Sequence, residues 1–271
     1  MAGVTLGGGL RPPSDGRHPT SSGSPLPPPN SRTARAEPAL GAAVIRLAAV
    51  DSTQTHAARL AEDGAPDGTV VVADTQTAGK GRRGRVWSDA PGASLLMSVV
   101  VRSSLPITRL PLLSIAAGVA LAEALNDVGV REPRLKWPND VLVDGRKIAG
   151  VLLERRGDAV ILGIGVNLDA RAIPAELRAQ ATCVAEGGGG PDRDALLVGV
   201  LEAFARWRGR LEREGFEAVR ERWTGLAETL GKRVSVDGVV GIAEALDGDG
   251  ALLVATERGV ARVVAGDVVA G

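Results

Sequence analysis

The amino-acid sequence predicts an α+β fold: a mixed, largely antiparallel sheet with flanking helices, followed by a small β-barrel at the C-terminus. Two turn signals between apolar runs, Asp144-Gly145 and Gly157-Asp158, predict strands joined by hairpins. Helical patterns lie before and after these strands rather than between each pair, which disfavours a repeating β-α-β array. Short apolar segments separated by glycine turns over the last roughly 40 residues predict the barrel.

Composition limits the function classes. The chain has 271 residues, 44% of them hydrophobic, with 32 basic and 32 acidic residues. This balance argues against a general nucleic-acid or membrane-surface protein, so we expect neither partner. Cys183 is the single cysteine, which excludes an internal disulfide and a cysteine metal site, and no other metal-ligand pattern is visible. Without a signal-peptide pattern or an apolar run near ~20 residues, a cytoplasmic protein is expected.

The chain divides into three segments. Residues 1–42 are rich in Pro, Gly and Ser and are expected to form a disordered extension. Residues 43–229 are predicted to form the main domain, and residues 230–271 the C-terminal domain.

The main domain begins with a strand and a helix. A strand after residue 43 is followed by the helix-start residues Asp51 and Ser52, and the helix should end near Gly64. The runs "TVVVADTQ" and "SLLMSVVVR" then predict two buried strands.

Further helices and the barrel follow. "RLPLLSIAAGVALAEALNDVG" has helical spacing and a stop at Gly129, and two later helices are predicted to break at Gly215. Turns are predicted at Asp237-Gly238, residues 247–250 and Arg258-Gly259, which separate the short strands of the barrel.

The stretch "GKGRRGRVW" contains glycines in a G-x-G-x-x-G pattern, at Gly79, Gly81 and Gly84. A dinucleotide fingerprint needs a helix directly after it, whereas here a turn-rich loop and a strand follow. A protein kinase needs an H-R-D loop, but neither His18 nor His56 precedes Arg-Asp. Both nucleotide motifs are therefore disfavoured.

The same loop carries four cations, at Lys80, Arg82, Arg83 and Arg85. Backbone N–H groups and guanidinium groups arranged in this way can surround an anion. A nucleic-acid-binding arm and a solvated hairpin tip remain alternatives, although few other basic signals accompany the loop.

Lysines occur in two further motifs. In "KWPND", Pro138 fixes a turn that leaves Lys136 at a strand end, with Asn139 and Asp140 at the turn. Lys136 is either an anion partner or a surface lysine beside a turn carboxylate. "GRKIAG" adds Lys147 as another cation.

Two other stretches combine small or polar residues. In "GIGVN", Gly163 and Gly165 share one face of a strand, which leaves room either for a flat ligand or for tight packing. In "DSTQ", Ser52, Thr53 and Gln54 can cap their own helix or hydrogen-bond a polar ring such as a urea.

Together, S-T-x, Q-x-A-G-x-G-R-R-G-R-x-W, K-W-P-N-D, R-K-I-A-G and G-x-G-x-N resemble the catalytic domain of biotin protein ligases, in order and spacing. The resemblance covers about residues 43–230, and the tail resembles that family's SH3-like C-terminal domain. It implies a class II synthetase-like catalytic domain. Since no helix-turn-helix pattern is visible near the N-terminus, it points to the short form of the family, which does not repress transcription.

The resemblance implies a two-step ligase that forms biotinyl-5′-AMP from biotin and ATP. The biotinyl group then passes to a lysine of the biotin carboxyl carrier domain of an acetyl- or acyl-CoA carboxylase. Mg²⁺ is expected to arrive with ATP. Monomer and homodimer both remain open.

The implied catalytic residues are Lys136, which would bridge the biotin carboxylate and the α-phosphate, and Arg82. The implied biotin-binding residues are Ser52, Thr53, Gln54, Gln76, Lys80, Gly81, Arg82, Lys136, Gly163 and Gly165. The implied ATP-binding residues are Gly79, Arg83, Arg85, Trp87, Asn139, Lys147 and Asn167, with Trp87 stacking on adenine.

Two positions depart from the family's usual S-T-N and G-R-G patterns, at Gln54 and Lys80. The nearest alternative is a lipoate or octanoyl ligase of the same broad fold. The resemblance does not lead us to expect this arginine-rich loop beside K-W-P-N-D in such an enzyme.

Overall fold

A seven-stranded sheet forms the centre of the protein, in a computed structural model that describes residues 40–41 and 43–270. Its strand order is β1-β2-β3-β7-β6-β5-β4. The pair β1–β2 is parallel and the other neighbours are antiparallel, which confirms the predicted mixed, largely antiparallel sheet. Its strands are β1 Ala43–Leu47, β2 Thr69–Ala73, β3 Ser94–Val101, β4 Arg134–Lys136, β5 Asp140–Val143, β6 Arg146–Arg156 and β7 Ala159–Asn167.

Helices cover both faces of this sheet. One face packs against α2 (Leu112–Asp127), which in turn packs against α3 (Arg193–Glu214) and α4 (Glu217–Leu226). The opposite face is covered at one end by α1 (Thr53–Glu62), through small buried residues such as Ala57 and Ala61. Because α1 is short, the middle of this face is left for other groups.

The helix ends agree with the sequence signals. Gly129 lies two residues after the end of α2 and Gly215 directly after α3, both in left-handed backbone at φ 91° and 87°, which glycine adopts without steric cost. Residues 107–127 are apolar and long enough to cross a membrane by composition. Helix α2 within this segment is buried in the core, as expected for the central helix of a globular domain.

The C-terminal residues form a second, five-stranded sheet of order β11-β10-β9-β8-β12. Its pairings are antiparallel, and the predicted Asp237-Gly238 turn joins its first two strands. The strands are β8 Arg233–Val236, β9 Val239–Leu246, β10 Leu252–Thr256, β11 Gly259–Val263 and β12 Val269–Ala270. The predicted boundary at 229/230 falls between α4 and β8, and the predicted extension lies outside the described residues except at 40–41.

Candidate functional site

A cavity opens on the sheet face that α1 leaves partly uncovered, where β3, β7 and β6 run side by side. Two rows of residues cross these strands. One row is Leu96, Gly165 and Gly150, and the other starts at Ser98 and continues through Gly163. The glycines lower the floor of the cavity, since each lacks a side chain on this face.

The depressions above these glycines hold side chains of the protein itself. A Cβ at Gly163 would lie 2.5 Å from Oε1 of Gln54, and one at Gly165 would lie 2.6 Å from the indole of Trp87. The two glycines therefore permit close packing, as one of the two predicted alternatives states. The groups that pack against them are the Gln54 amide and the Trp87 indole, and both of these residues line the cavity.

A neutral polar wall closes one end of the cavity. The Thr53 backbone N–H and hydroxyl both donate to Oε1 of Gln76, at 2.7 and 3.1 Å. The Ser98 hydroxyl lies 2.9 Å from the Thr53 hydroxyl and 3.2 Å from Oε1 of Gln54, and the Gln54 amide donates to the Ile161 carbonyl at 3.0 Å. The start of α1 is thus locked to strands β3 and β7.

Ser52 behaves differently from its neighbours. Its side chain does not cap α1, and its hydroxyl is buried without a hydrogen-bond partner among the described residues. A buried polar atom without a partner is uncommon and costly. Because Ser52 lines the cavity, a polar ligand is the natural partner for this hydroxyl.

The glycine-rich loop forms the opposite wall as a tight hairpin. Backbone hydrogen bonds join Trp87 to Gly79 and Gly81 to Arg85, at 3.0 and 2.8 Å. Gly79 serves this close approach, since a Cβ there would lie 2.4 Å from the Trp87 carbonyl oxygen. Lys80, Arg82 and Arg85 are among the residues that line the cavity.

Arg82 is fixed by the K-W-P-N-D turn. Its Nη1 donates to Oδ1 of Asn139 at 2.9 Å, and the Asn139 amide donates to the Val151 carbonyl at 2.8 Å. Partial burial lowers the pKa of Arg82, while Asp267 and Asp140 act in the opposite direction. An arginine stays charged under such shifts, so it supplies a cation with a defined position.

Lys147 supplies a second cation on the cavity floor. Its Nζ lies 2.7 Å from Oδ1 of Asp140, without the alignment of a hydrogen bond, and 5.6 Å from the centre of the Trp87 ring. Its position on β6, three residues before Gly150, brings it over the lowered part of the sheet.

The structure separates four predicted site residues from this cavity. Lys136 lies on β4 at the edge of the sheet, two strands from β6, and lines another cavity with Glu228 and Lys232. The Asn167 side chain donates to the Thr182 carbonyl at 3.0 Å and holds a loop, and Arg83 points to the C-terminal sheet. Gly79, the fourth, acts in the backbone of the loop, as described above.

Thirteen predicted residues do line the cavity: Ser52, Thr53, Gln54, Gln76, Lys80, Gly81, Arg82, Arg85, Trp87, Asn139, Lys147, Gly163 and Gly165. Sequence reasoning did not select Ser98 or Gly150. Ser98 stands out in the run "LLMSVVV" as a lone hydroxyl, and this contrast was the available signal. Among the described residues, no cluster of three His, Cys, Asp or Glu side chains could hold a metal ion.

Two family models match the chain. The biotin/lipoate A/B protein ligase family matches residues 47–169, and the biotin protein ligase C-terminal domain matches residues 229–271. A biotin–[acetyl-CoA-carboxylase] ligase of Paracoccus denitrificans is 36% identical over 83% of this chain and 99% of that protein. The chain belongs to the biotin protein ligase family.

Other relatives agree with this membership. A bifunctional ligase/repressor BirA of Bacillus spizizenii is 32% identical over 86% of this chain and 75% of that protein. A biotin protein ligase of Aquifex aeolicus, solved with biotin and ATP, has a TM-score of 0.75 at 32% identity, covering 85% of this chain and 99% of that one. A Leishmania major biotin protein ligase, solved with biotinyl-5-AMP, has a TM-score of 0.61 at 26% identity, with coverages of 83% and 99%.

The segment matched by the ligase family model, residues 47–169, contains the cavity, and the segment matched by the C-terminal domain model, residues 229–271, contains the five-stranded sheet. All thirteen cavity residues predicted from the sequence fall in residues 47–169. The carboxylates that pair with Arg83 and Arg85, from Asp237 and Asp267, fall in residues 229–271. The two family segments therefore meet at the glycine-rich loop.

Proposed function

We propose that the protein is an ATP-dependent biotin protein ligase that forms biotinyl-5′-AMP and transfers the biotinyl group to a lysine of a carboxyl carrier domain. One observation carries this proposal: a single cavity joins a neutral polar wall to a cationic wall. Such a cavity suits a ligand with a polar uncharged ring at one end and anionic groups at the other. Family membership supports the same conclusion.

The polar wall suits the ureido ring of biotin. A urea offers two N–H donors and a carbonyl acceptor, and Ser52, Thr53, Gln54 and Gln76 supply hydroxyl and amide groups around one end of the cavity. The unpartnered Ser52 hydroxyl would gain its hydrogen bond from this ring. Because both ends of the Gln54 amide are already bonded, we assign Gln54 to shaping the wall rather than to the main ring contacts.

The cationic wall suits the reacting groups. Adenylation brings a carboxylate against the α-phosphate of ATP, and preorganised cations stabilise the charge that develops there. We assign the bridging position to Lys147 instead of Lys136, because Lys147 lies in the cavity. Arg82 is the second cation, and Lys80 and Arg85 add positive charge at the loop.

Trp87 and the loop complete the site. The indole lies against the Gly165 backbone, and we propose that its exposed part stacks on adenine. A loop held over the cavity would also keep water from the mixed anhydride of the adenylate. The described residues offer no cage for a metal ion, so Mg²⁺ would come with the ATP phosphates.

The acceptor would be the biotin carboxyl carrier domain of an acetyl- or acyl-CoA carboxylase, in the cytoplasm. This part of the proposal rests on the family and on the name of the Paracoccus relative. The decisive experiment incubates the protein with ATP, Mg²⁺, a carrier domain and either biotin or lipoate, and measures the mass of the carrier.

We expect labelling with biotin and little with lipoate. A lipoyl ring has no N–H donor or carbonyl, so it would leave the polar groups of the wall unpaired, and sites built for hydrogen bonding reject such analogues strongly. Labelling by lipoate alone would overturn the proposed function in favour of a lipoate ligase.

A further inference from the structure

Two carboxylates of the C-terminal sheet hold the arginines of the glycine-rich loop. Arg83 forms a two-point ion pair with Asp237, in which Nη1 donates to Oδ1 at 2.9 Å and Nη2 contacts Oδ2. Asp267 Oδ1 accepts from Nη2 of Arg85 at 2.9 Å and lies 3.8 Å from Nη1 of Arg82. Each arginine of the loop therefore has an acceptor outside the loop.

The two carboxylates belong to one packed unit. Asp237 occupies the two-residue turn between β8 and β9, where it and Gly238 have left-handed backbone at φ 47° and 87°. Gly266, next to Asp267, lies against this turn, because a Cβ at 266 would be 2.3 Å from Cγ1 of Val236. The distance between the two carboxylates is thereby fixed by backbone packing.

This unit is also fixed relative to the cavity. Trp137, in the K-W-P-N-D motif, is 2% exposed, and its indole N–H donates to the Gly250 carbonyl of the C-terminal sheet at 3.1 Å. Its backbone N–H donates to the Thr229 hydroxyl at 2.9 Å. The motif that positions Arg82 through Asn139 thus also anchors the sheet that carries Asp237 and Asp267.

The loop needs such an anchor. Arg82, Arg83 and Arg85 repel one another, and the glycines between and beside them increase the entropy cost of ordering the backbone. The backbone of Arg83 has φ 55°, a conformation that residues other than glycine seldom adopt. The ion pair with Asp237 offsets these costs at the tip of the hairpin.

From this geometry we infer that Asp237 and Asp267 are positioning residues for the ligase reaction, holding the loop so that Arg82 and Arg85 face the substrate anions. The substrates in this statement rest on the proposed function. Asp237 acts through Arg83, which does not line the cavity, so substrate does not compete for that pair. Asp267 shares Arg82 and Arg85 with the substrate anions and leaves their guanidinium groups partly free.

The first test compares Asp237→Asn with the wild-type protein in two assays. Initial trypsin cleavage between Lys80 and Arg85, measured without substrates, should rise about two- to fivefold, the range for an exposed ion pair. The KM for ATP in biotin-dependent pyrophosphate exchange should rise by the same factor, with kcat little changed. Asp249→Asn is the matched control, since Asp249 pairs with Arg262 in the same sheet, away from the loop.

The second test exchanges the charges, combining Arg83→Asp with Asp237→Arg. Both positions have left-handed backbone, so the exchange keeps the local conformational demands. Either single change should raise the KM for ATP, and the double variant should bring it most of the way back to the wild-type value. The inference would be overturned if Asp237→Asn kept the wild-type cleavage rate and KM, or changed them no more than Asp249→Asn does. It would also be overturned if the double variant did not lower the raised KM. Absence of any biotin-dependent exchange in the wild type would instead overturn the proposed function, and trypsin cleavage would still test the anchor.

Discussion

The two walls of the cavity are held in place by different physical means. The polar wall, at the start of α1, is largely buried, and its Thr53 and Gln54 side chains are hydrogen-bonded to strands β3 and β7. The cationic wall is an exposed hairpin whose arginines are held largely by carboxylates of a separate sheet. An uncharged polar ring, such as the one proposed for the ligand, is recognised by shape and hydrogen bonds, and this requires a rigid protein wall. Charge can be delivered by a loop, because electrostatic attraction tolerates small displacements.

The largest effect is expected from removing Lys147, the cation on the cavity floor. Lys147→Ala should lower kcat of biotin-dependent ATP–pyrophosphate exchange by about 10²–10³-fold, the cost of losing one preorganised donor to a developing charge. Lys136→Ala is the matched control and should stay close to the wild-type rate, because Lys136 lies outside the cavity. The reverse result would restore the bridging role that the family resemblance implies for Lys136.

A methyl group on the cavity floor should disturb Trp87. In Gly165→Ala, the new Cβ would lie 2.6 Å from the indole, so the ring must shift, at a cost of about 1–3 kcal/mol. We expect a weaker affinity for ATP, measured by titration calorimetry. Gly248→Ala is the control, since nothing lies within 4 Å of that position. An unchanged affinity for ATP in Gly165→Ala would argue against Trp87 as the adenine platform.

Within the polar wall, two hydroxyls should respond in different ways. Ser52→Ala should leave the thermal stability unchanged or raise it, because it removes an unpaired buried hydroxyl, and should weaken biotin binding by about 0.5–1.5 kcal/mol. Thr53→Val should destabilise the fold by about 0.5–1.5 kcal/mol, because it removes the hydrogen bonds of the Thr53 hydroxyl to Gln76 and Ser98, each of which keeps one other partner. Calorimetric unfolding together with biotin titration separates these effects, and equal loss of stability in both variants would contradict this account.

Salt should affect the two walls unequally. Raising the ionic strength from 0.1 to 1 M shortens the Debye length from about 10 to about 3 Å and weakens exposed pairs first. We expect trypsin cleavage of the loop and the KM for ATP to increase by a larger factor than the Kd for biotin, because only the carboxylate end of biotin would meet the cationic wall. Potassium chloride titration of all three quantities checks this, with parallel changes in all three as the contrary outcome.

Much of the fold follows from local patterns. The paired glycine and aspartate turns and the helical runs predicted strands, helices and stops that the structure confirms, because these signals act within a few residues. The thirteen predicted residues that line the cavity were assigned through the motifs that resemble biotin protein ligases, and their individual roles stay predictions.

The predicted site residues that lie outside the cavity do so for one physical reason. Lys136 and Lys147 lie on strands of the same small hairpin system, and which of them reaches the cavity depends on the strand order. Asn167 carries a side chain suited to a ligand, but the loop at Thr182 uses it first. Spacing along the chain does not determine either outcome, because both depend on residues far away in sequence.

The fold class, the family and the set of groups available for binding follow from the amino-acid sequence, because periodicity, turn chemistry and motif order can be read along the chain. Three-dimensional packing places Lys147 rather than Lys136 in the cavity, fills the space above Gly163 and Gly165, and brings Asp237 and Asp267 to the arginines of the loop. Each of these depends on the distance between segments up to 184 residues apart, and packing of the two sheets sets that distance.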